Sequence, residues 1–534
     1  MSAQLLVVMA AGLIVTVVLR RSGFQANLIV LVVAAAVSFI PGVPRFELDP
    51  DIILSIVIPP LLYSTALNFS FTTFVRNFRA IVGLGVTLVL GTALVAGFVT
   101  GWLLPSIGAA AFVIGAVVSP PDTVTAVSHG KSMGFPRRVI AIITGESLVN
   151  DAAALTIFAV ALTAAGGGSS FIASPVLLFG YEVVVGLFIG FVLAFIVGNI
   201  RGRLTNPTLA TALNVIVPFA AYLVAEQVHA SGVLAVVMAG FFVGTGSVYT
   251  RTDDPRTVGH RIRIQEAAVW PVIELMLEIF VFAYIGLQVR FVFGDLVSSG
   301  AHVGSIVVAG IVLLLLVIIV RPIGVFLLFG SWLLRERLAR RGLTDPRMRE
   351  RLEERQRRHE QRLEKRRARN RKRSREGRPE REVPLVPLRA LGWKELILVS
   401  WTGMRGIVTL TAAAGVPLLT SSGAPFPGRD AIQAIALIVA LGTLLIQGFT
   451  VPMVARALRI DSTEEEHADA VQLEKALSAA EGAGIELDPD SPDRFHVARR
   501  AVTLAMVKGE FDDETAREVI RRLDLRQAAV EAQD

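Results

Sequence analysis

The sequence predicts an all-helical membrane protein that crosses the bilayer about thirteen times. Its 534 residues are 53% hydrophobic and only 18% charged, whereas about a quarter of the residues of an ordinary soluble protein are charged. A membrane-spanning helix needs about 20 apolar residues, so a chain of this length has room for many spans. The absence of cysteine excludes disulfides, thiolate metal sites and cysteine nucleophiles.

Thirteen apolar stretches of membrane-spanning length follow one another along the chain. The first could instead be a cleaved signal peptide. However, Arg20 and Arg21 follow it without a small-residue cleavage pattern, so we interpret it as a retained span. Polar residues interrupt the stretches at 51–68 and 205–249. The predicted spans lie near 4–19, 27–43, 51–68, 79–104, 107–129, 137–164, 171–200, 205–227, 231–249, 267–289, 301–334, 393–418 and 430–457.

The positive charges between the spans indicate how the chain is oriented. Cytoplasmic loops of membrane proteins are enriched in Lys and Arg. With the N-terminus outside, only Arg45, Arg290 and Arg429 fall in outer loops, and a shift by one span would destroy this alternation. We therefore predict a multi-pass protein of the cytoplasmic membrane whose C-terminal tail is inside. The inner loops hold Arg20, Arg21, Arg76, Arg79, Lys131, Arg137, Arg138, Arg201, Arg203, Arg251, Arg256, Arg261, Arg263 and the segment Arg335–Glu382.

Two charged segments of opposite sign are attached to the apolar body. Residues 335–382 hold 21 Arg and Lys against 10 Asp and Glu, and residues 461–534 hold 9 against 19. No aromatic residue is interleaved with the arginines of the basic segment, so we do not expect nucleic-acid binding. The net charge of each segment instead suggests that the two attract each other.

We divide the chain into a transmembrane domain at 1–458 and an acidic cytoplasmic tail at 459–534. The transmembrane domain contains a basic cytoplasmic loop at 335–390. Amphipathic patterns near 495–507 and 513–526 predict two helices in the tail. We hypothesise that the tail docks on the basic loop.

Ionisable residues inside the spans mark candidate functional positions. A charge at the bilayer centre costs about 2.5–3.5 kcal/mol on insertion scales. We therefore expect each ionisable residue inside a span to have a structural or functional role. The alternative to function is a structural pair that locks two helices together, and we favour it for Glu182 and Glu274. The ionisable residues within the spans are Asp122, Glu146, Asp151, Glu182, Glu226, Glu274, Glu278, Arg321 and Arg405.

The fifth span is interrupted by two consecutive prolines in Ser119-Pro120-Pro121-Asp122-Thr123. Proline has no backbone N–H, so the pair breaks the helix at membrane depth. Broken backbone is tolerated there only where it is buried in protein or lines a wet cavity. The freed carbonyls and the Asp122 carboxylate are hard oxygen ligands, which suit a small cation.

The sixth span carries two carboxylates within Gly145–Asp151, which reads GESLVND. At 100° per residue, Glu146 and Asn150 share one helix face, and Ser147 and Asp151 share another. Asp151 stands about 140° from Glu146. One carboxylate can therefore face a cavity while the other faces a neighbouring helix.

Two arginines, Arg321 and Arg405, lie deep in the last third of the transmembrane body. Neither can lose its proton, so we expect each to have an anionic partner. Glu146 is the candidate for Arg321, which leaves Asp151 without a fixed counter-charge. A desolvated carboxylate of this kind holds either a proton or a small cation, and that competition is an exchange mechanism.

The spans divide as six, a connecting seventh and six, so the second six would run inverted relative to the first. The interrupted fifth span then corresponds to the twelfth, which contains Gly403-Met404-Arg405-Gly406. Interrupted helices at matching positions of two inverted repeats are typical of transporter sites. The sequence thus predicts a site formed by spans five and twelve.

At these positions the sequence resembles the monovalent cation:proton antiporters, in the branch of bacterial Na⁺/H⁺ antiporters and animal sodium/proton exchangers. The resemblance is carried by Ser119–Val127, Gly145–Asp151, Ile319–Gly324 and Gly403–Gly406, and it covers most of residues 1–458. It implies a homodimer of thirteen-span protomers. Each protomer would have a dimerisation scaffold and a six-helix core in which the unwound helices 5 and 12 cross. That core would lie near 79–164, 301–334 and 393–457.

The resemblance also assigns roles to residues that match the family's motifs. It implies that Asp151 binds the proton and the cation, with Na⁺ held at Asp151, Ser147 and Asp122. It implies that Glu146 pairs with Arg321 and that Arg405 belongs to the crossing. The residues it places in the site or beside it are Asp151, Asn150, Ser147, Asp122, Pro121, Ser119 and Glu278.

The resemblance further implies electroneutral one-for-one exchange, because Asn150 precedes Asp151 where other branches have two aspartates. Thr123 departs from the pattern, since many relatives have proline there, and this could alter the unwound geometry or the cation preference. We predict a secondary antiporter that exchanges Na⁺, with Li⁺ and K⁺ as further candidates, for H⁺ in pH homeostasis. It would need no cofactor, and its contacts would be ions, lipid and a second copy of the chain.

Two other classes of function fit the sequence less well than an antiporter. A cation channel or channel-like sensor would use the same carboxylates as a selectivity ring, but a single internal cluster closed by an Arg–Glu pair favours a carrier. An integral-membrane enzyme or ATP-driven pump is not indicated, because the sequence contains neither a P-loop nor a His-Glu-x-x-His motif.

Overall fold

A computed structural model shows a protein composed almost entirely of helices. It describes residues 2–19, 26–43, 45, 52–122, 130, 133–166, 174–249, 259–298, 302–342, 391–459, 463–484, 493–507 and 511–532. The described residues form no β-strand, and the only extended pairings among them are isolated bridges, one of which joins Asp122 to Met404. The predicted all-helical fold class is therefore confirmed.

The helices follow the predicted apolar stretches in order, and each of the thirteen stretches overlaps at least one helix. They are Ser2–Leu19 (α1), Ala26–Ser38 (α2), Ile58–Asn68 (α3), Phe71–Val82 (α4), Val89–Leu103 (α5), Ala110–Val118 (α6), Arg137–Ala164 (α7), Pro175–Arg201 (α8), Pro207–Gln227 (α9), Gly232–Tyr249 (α10), Gly259–Ser298 (α11), Val303–Gly342 (α12), Trp393–Trp401 (α13), Ile407–Ala414 (α14), Arg429–Leu458 (α15), Thr463–Gly484 (α16), Asp493–Val507 (α17) and Asp513–Glu531 (α18). The π-helical turn Ile53–Val57 leads into α3, and a second one, Gly83–Leu88, joins α4 to α5.

Within the described ranges, seven helices are long and apolar enough to cross a membrane, judged by length and composition. Shorter apolar helices at 9–18, 27–38, 53–68 and 232–245 accompany them. The protein is thus a multi-pass membrane protein. The count of thirteen spans and the two inverted repeats remain predictions.

Local sequence signals explain where several helices begin. The Ser70 side chain accepts the N–H of Thr73 at 3.1 Å and caps α4. Asn206 caps α9 in the same way, and α9 continues with Pro207, whose missing N–H has no role in a first turn. Side-chain acceptors of this kind satisfy backbone donors that a helix start leaves free.

The buried apolar side chains of the bundle form two large clusters. One is centred on α2, α3 and α9–α11 and includes Leu28, Tyr63 and Val236. The other is centred on α5, α6, α12 and α15 and includes Ile114 and Leu313. Large apolar side chains such as Phe98, Trp102, Phe188, Phe195 and Leu327 are exposed, as expected for surfaces that face lipid.

The acidic tail folds into three helices, α16–α18, around its own apolar core. Phe495, Val502, Val519 and Ile520 form the centre of that core. The helices predicted at 495–507 and 513–526 correspond to α17 and α18, and the sequence analysis missed α16. Its buried residues are alanines such as Ala476, so its apolar face contrasts weakly with its polar face.

The tail packs on one end of the helix bundle. Asp524 of α18 accepts two hydrogen bonds from Arg263 at the start of α11, both 2.7 Å long. In α16, Asp469 lies 2.7 Å from Arg137, the first residue of α7. The hypothesis of docking concerns the basic loop at 335–390; its residues 335–342 continue α12, and 343–390 lie outside the described residues. The described docking contacts are with the bundle instead.

Candidate functional site

The fifth and twelfth predicted spans are broken and meet at their breaks. Helix α6 ends at Val118, and α13 and α14 are separated by the link 402–406. The N–H of Asp122 donates to the carbonyl of Met404 at 2.5 Å. The predicted interruption of both spans is therefore present, and the two breaks are in direct contact. Residues 123–129, including Thr123, lie outside the described residues.

The crossing is so tight that two positions in the link admit only glycine. A Cβ added to Gly403 would overlap the guanidinium of Arg321, and one added to Gly406 would overlap the carboxylate of Asp122. Both glycines therefore allow a charged side chain to lie directly against the backbone of the link.

Glu146 and Arg321 form the buried ion pair that the sequence suggests. The two guanidinium nitrogens of Arg321 donate to the two carboxylate oxygens of Glu146 at 2.6 and 2.9 Å. The Glu146 residue is 0% exposed and Arg321 is 2% exposed. Arg321 also donates to the carbonyl of Val399 at 3.2 and 3.3 Å. A bidentate pair with further hydrogen bonds is the arrangement in which buried charges are tolerated.

Arg405 has a different environment from the one we expected. Its Nε donates to the carbonyl of Val118 at 3.1 Å, and its guanidinium also contacts the carbonyl of Gly403. Among the described residues no carboxylate pairs with it, so the expected anionic partner is absent there. These two carbonyls lie where α6 and α13 end, and helix C-termini carry a partial negative charge. The carbonyls therefore compensate the charge of Arg405 in place of a carboxylate.

The α7 helix brings Ser147, Asn150 and Asp151 to the crossing, and all three are buried. The amide of Asn150 donates to the carbonyl of Pro121 at 2.5 Å, which ties α7 to the broken span. No hydrogen bond or ion pair reaches the Asp151 carboxylate in the described part of the chain. The charge of Asp122 acts on Asp151 electrostatically. The structure thus brings the predicted site residues Asp122, Pro121, Asn150 and Asp151 together.

Two further predicted residues have defined contacts. The hydroxyl of Ser119 donates to the carbonyl of Ala116 at 2.8 Å and so caps the end of α6. Glu278 of α11 accepts the amide of Asn27 of α2 at 2.7 Å, and the charge of Asp122 acts on it. The Ser119 hydroxyl therefore stabilises the end of α6, whereas Glu278 lies at the edge of the site.

The isolated acids Glu182 and Glu274 are hydrogen-bonded, as the structural alternative implies. Glu182 accepts the hydroxyl of Thr156, and Glu274 accepts the hydroxyl of Ser64. The first of these contacts joins α8 to α7, and the second joins α11 to α3.

Sequence reasoning missed the polar residues that α15 contributes. The hydroxyl of Thr443 accepts the backbone N–H of Arg405 at 2.9 Å. Gln447, one turn later, is fully buried, and both of its amide atoms have no partner among the described residues. Both are uncharged polar residues within an apolar stretch, a signal that the positions of charged residues do not reveal.

The donor set of the crossing suits a small hard cation. No group of three or more His, Cys, Asp or Glu side chains forms a metal cage within the described residues. The crossing instead offers the carboxylates of Asp122 and Asp151, the hydroxyl of Ser147 and backbone carbonyls. Oxygen ligands of this type bind Na⁺-like ions rather than soft transition metals.

These features together define a class, the polytopic secondary transporters that bind an ion between two broken helices. Residues 4–457 match the family described as "Sodium/hydrogen exchanger, transmembrane". The chain belongs to this family, whose members are transporters of Na⁺ and protons rather than enzymes.

Individual relatives agree with this assignment. The chain is 28% identical over 503 residues to an uncharacterized Na(+)/H(+) exchanger of Mycobacterium tuberculosis, with 92% of this chain and 80% of the relative covered. It is 28% identical over 433 residues to a sodium, potassium, lithium and rubidium/H(+) antiporter of Bacillus subtilis, covering 78% of this chain and 56% of the relative. Its fold is similar to that of the sodium proton antiporter MjNhaP1 from Methanocaldococcus jannaschii, with a TM-score of 0.60, 16% identity, and 85% of this chain and 98% of that one covered.

Proposed function

We propose that the protein exchanges Na⁺ for H⁺ across the cytoplasmic membrane by alternating access, and that the two ions compete for Asp151. The observation that carries this proposal is the isolation of the Asp151 carboxylate. It is buried beside the crossing and receives no hydrogen bond or ion pair from the described residues.

Competition follows from the electrostatics of burial. An isolated charge in a low-dielectric site is strongly unfavourable, so the carboxylate is stable only when a proton or a metal cation neutralises it. Either ion satisfies this need, and binding of one removes the attraction for the other. The site is therefore never occupied by both, and it reorients most easily when neutral.

The Glu146–Arg321 pair supports electroneutral exchange. Because the two charges cancel, Asp151 alone determines whether the site gains or loses one charge. One Na⁺ then replaces one H⁺, and the transported charge is zero. Asn150 positions the Pro121 carbonyl, and Ser147 supplies a hydroxyl one turn from Asp151.

Alternating access requires that the site move relative to fixed helices. We propose that α4–α7 and α12–α15 form the moving core, and that the remaining spans form a scaffold through which two copies of the chain dimerise. Potassium and lithium are further candidate substrates, because the Bacillus subtilis relative is named for sodium, potassium, lithium and rubidium.

Contacts at the two ends of the bundle support the proposed orientation. Arg45 pairs with Asp295 at 2.6 Å at the end that the loop charges put outside. The tail contacts Arg137 and Arg263 at the opposite end. We therefore propose that the N-terminus is outside and the tail is in the cytoplasm.

The test is Asp151→Asn in proteoliposomes that carry a pH gradient. We expect this variant to lose Na⁺-dependent dissipation of the gradient and to keep the wild-type melting temperature. Asp295→Asn, the same change at one end of the bundle and away from the crossing, should exchange at the wild-type rate. Full exchange by Asp151→Asn would refute the role of this carboxylate.

Ion competition itself is tested by calorimetry. Titration of the wild-type protein with Na⁺, Li⁺ and K⁺ from pH 6 to 9, in buffers of different ionisation enthalpy, should show up to one proton released per cation bound. The release should be largest at the lowest pH and fall as the pH rises and the free site loses its proton, while the apparent cation affinity increases. Sodium binding that releases no proton at any pH, with an affinity independent of pH, would contradict the mechanism. Flux that does not saturate and carries no proton would instead identify a channel.

A further inference from the structure

The α15 helix carries three polar residues on the face that packs against the broken twelfth span. Thr443, Gln447 and Thr450 are spaced at i, i+4 and i+7, which places them on one side of the helix. The Thr443 hydroxyl accepts the N–H of Arg405 at 2.9 Å. The Thr450 hydroxyl accepts the indole N–H of Trp401 at 2.8 Å. The two threonines thus bind residues at the two ends of the link between α13 and α14.

Gln447 lies between these two contacts and therefore faces the middle of the link. The next residue agrees with this placement, because a Cβ added to Gly448 would lie 3.4 Å from the sulfur of Met404. Gln447 is 0% exposed, and neither its amide nitrogen nor its amide oxygen has a hydrogen-bond partner among the described residues. A buried amide without partners is unfavourable, so Gln447 destabilises the described conformation.

The link offers the groups that such an amide requires. Helix ends leave N–H and C=O groups without intrahelical partners, and the link lies between the end of α13 and the start of α14. The amide of Gln447 has an acceptor oxygen and two N–H donors, so it can bond a backbone N–H and a backbone C=O at the same time. A shift of the link toward α15 would therefore satisfy both ends of the amide.

The proposed cation site is connected to the same link. The N–H of Asp122 donates to the carbonyl of Met404 at 2.5 Å, and the Asp122 carboxylate lies against Gly406. A cation that binds between Asp122 and Asp151 therefore acts on a residue that is bonded to the link and packed against it. A ligand shifts a protein toward the conformation with which it interacts more favourably, and hydrogen bonds regained by Gln447 in that conformation add to the preference.

We propose that Gln447 is a positioning residue for cation binding: when Na⁺ occupies the crossing, its amide hydrogen-bonds the backbone of residues 402–404 and holds the link in the cation-bound arrangement. The proposal rests on the proposed function, in which the cation binds at Asp151 and Asp122. Gln447 does not touch the ion. Its amide is unsatisfied in the free protein and satisfied in the loaded one, so it increases the cation affinity and lowers the stability of the free state.

Thermal unfolding of Gln447→Met distinguishes this role from a structural one. In choline chloride without Na⁺, the variant should melt at a higher temperature than wild type, because it lacks the unsatisfied amide. The rise in melting temperature on addition of Na⁺ should be smaller than in wild type, because stabilisation by a ligand decreases with its affinity. A lower melting temperature in choline with an unchanged Na⁺-dependent rise would indicate a purely structural glutamine and overturn the proposal.

Exchange in proteoliposomes provides the second measurement. The KM of Gln447→Met for Na⁺ should increase about three- to tenfold, the factor that corresponds to one hydrogen bond between neutral groups. Asn77→Leu is the matched control. Asn77 is also buried and its amide oxygen has no partner among the described residues, but its amide nitrogen donates within α4, to the Thr73 carbonyl. Asn77→Leu should keep the wild-type KM for Na⁺.

An unchanged KM and an unchanged Na⁺-dependent rise in melting temperature in Gln447→Met would refute its role in cation binding. Asp151→Asn keeps the two proposals separate. If Asp151→Asn still exchanges, the proposed function fails. If Asp151→Asn is inactive while Gln447→Met binds Na⁺ as wild type does, only the role of Gln447 fails.

Discussion

At the scale of single residues, the Glu146–Arg321 pair shows how strongly burial constrains charge. Arg321→Ala leaves the Glu146 carboxylate buried without its arginine partner. We therefore expect the free energy of unfolding to fall by about 3–5 kcal/mol and ion exchange to be lost. Thermal unfolding in detergent provides the measurement. The double change Glu146→Gln with Arg321→Met removes both charges and should recover most of the stability. A melting temperature unchanged in Arg321→Ala would argue against the pair.

Gln447 presents the opposite case, a buried polar group whose donor and acceptor both lack partners among the described residues. Gln447→Met replaces the amide with an apolar chain of similar size and removes that penalty. We expect stability to rise by about 1–3 kcal/mol, measured by thermal unfolding. Asn77→Leu is a useful comparison: it removes an amide that donates to the Thr73 carbonyl at 3.0 Å, so it should gain less. Destabilisation by Gln447→Met would show that the amide is satisfied.

The charged part of the site could be predicted from the sequence, because a charged residue inside a membrane span is unfavourable unless it has a structural or functional role. It did not allow the partners of Arg405 to be predicted. Those partners are the carbonyls of Val118 and Gly403, and backbone groups of this kind become available only after two helices have broken and met. Composition identifies the side chains whose burial costs free energy, but only the folded structure shows which groups form hydrogen bonds with them.

At the scale of helices, the crossing depends on the absence of a side chain at Gly406. Gly406→Ala places a methyl group against the Asp122 carboxylate, so the link and the broken span must separate. Overpacking of this kind costs about 1–3 kcal/mol, and we also expect exchange to be lost. Gly91→Ala, where a Cβ meets nothing within 4 Å, should preserve both stability and exchange. Equal behaviour of the two variants would mean that the crossing is not close-packed.

The order of the helices followed from apolar periodicity, and both breaks followed from the positions of proline and glycine. The prediction was weaker for the tail, where α16 was missed. Helix prediction relies on contrast between an apolar and a polar face, and alanine provides little contrast. The contact of Asp122 with Met404 joins residues far apart in the sequence. Local patterns predict each break, whereas the meeting of the breaks was expected from their matching positions in two inverted repeats and from the family resemblance.

At the scale of the whole molecule, the tail docks on the helix bundle, while its docking on the basic loop, which opposite charge suggests, stays a prediction. Net charge measures attraction over distances of a Debye length, whereas docking is decided by individual groups in contact. Arg261 and Arg263 lie at the start of α11 and carry a small part of the positive charge. They nevertheless provide the described contacts, because Glu531 and Asp524 of α18 accept hydrogen bonds from them.

The contact of α18 with α11 through Glu531 and Arg261 should be insensitive to pH in the physiological range. Burial acts to raise the pKa of Glu531, but hydrogen bonds from Arg261, Gln527 and His260 outweigh it and lower the pKa to about 2 from the ordinary 4.5. A carboxylate whose pKa is lowered by folding contributes stability that is complete above the ordinary value and is lost as the pH falls through the folded value. The contribution of Glu531 is therefore complete above about pH 5 and disappears toward pH 2.

We expect the distance between fluorophores on α18 and α11 to remain constant from pH 9 to pH 5 and to increase only below about pH 4.5. Glu531→Gln should weaken docking at every pH in that upper range without shifting the pH profile of exchange. The basic groups around Glu531 include Arg261, Arg263 and Arg499, and a ring nitrogen of His260 also contacts the carboxylate. Release of α18 between pH 6 and pH 8 would assign the pH response of the transporter to the tail. Constant docking would leave that response with Asp151, the group for which we propose that the proton and the cation compete.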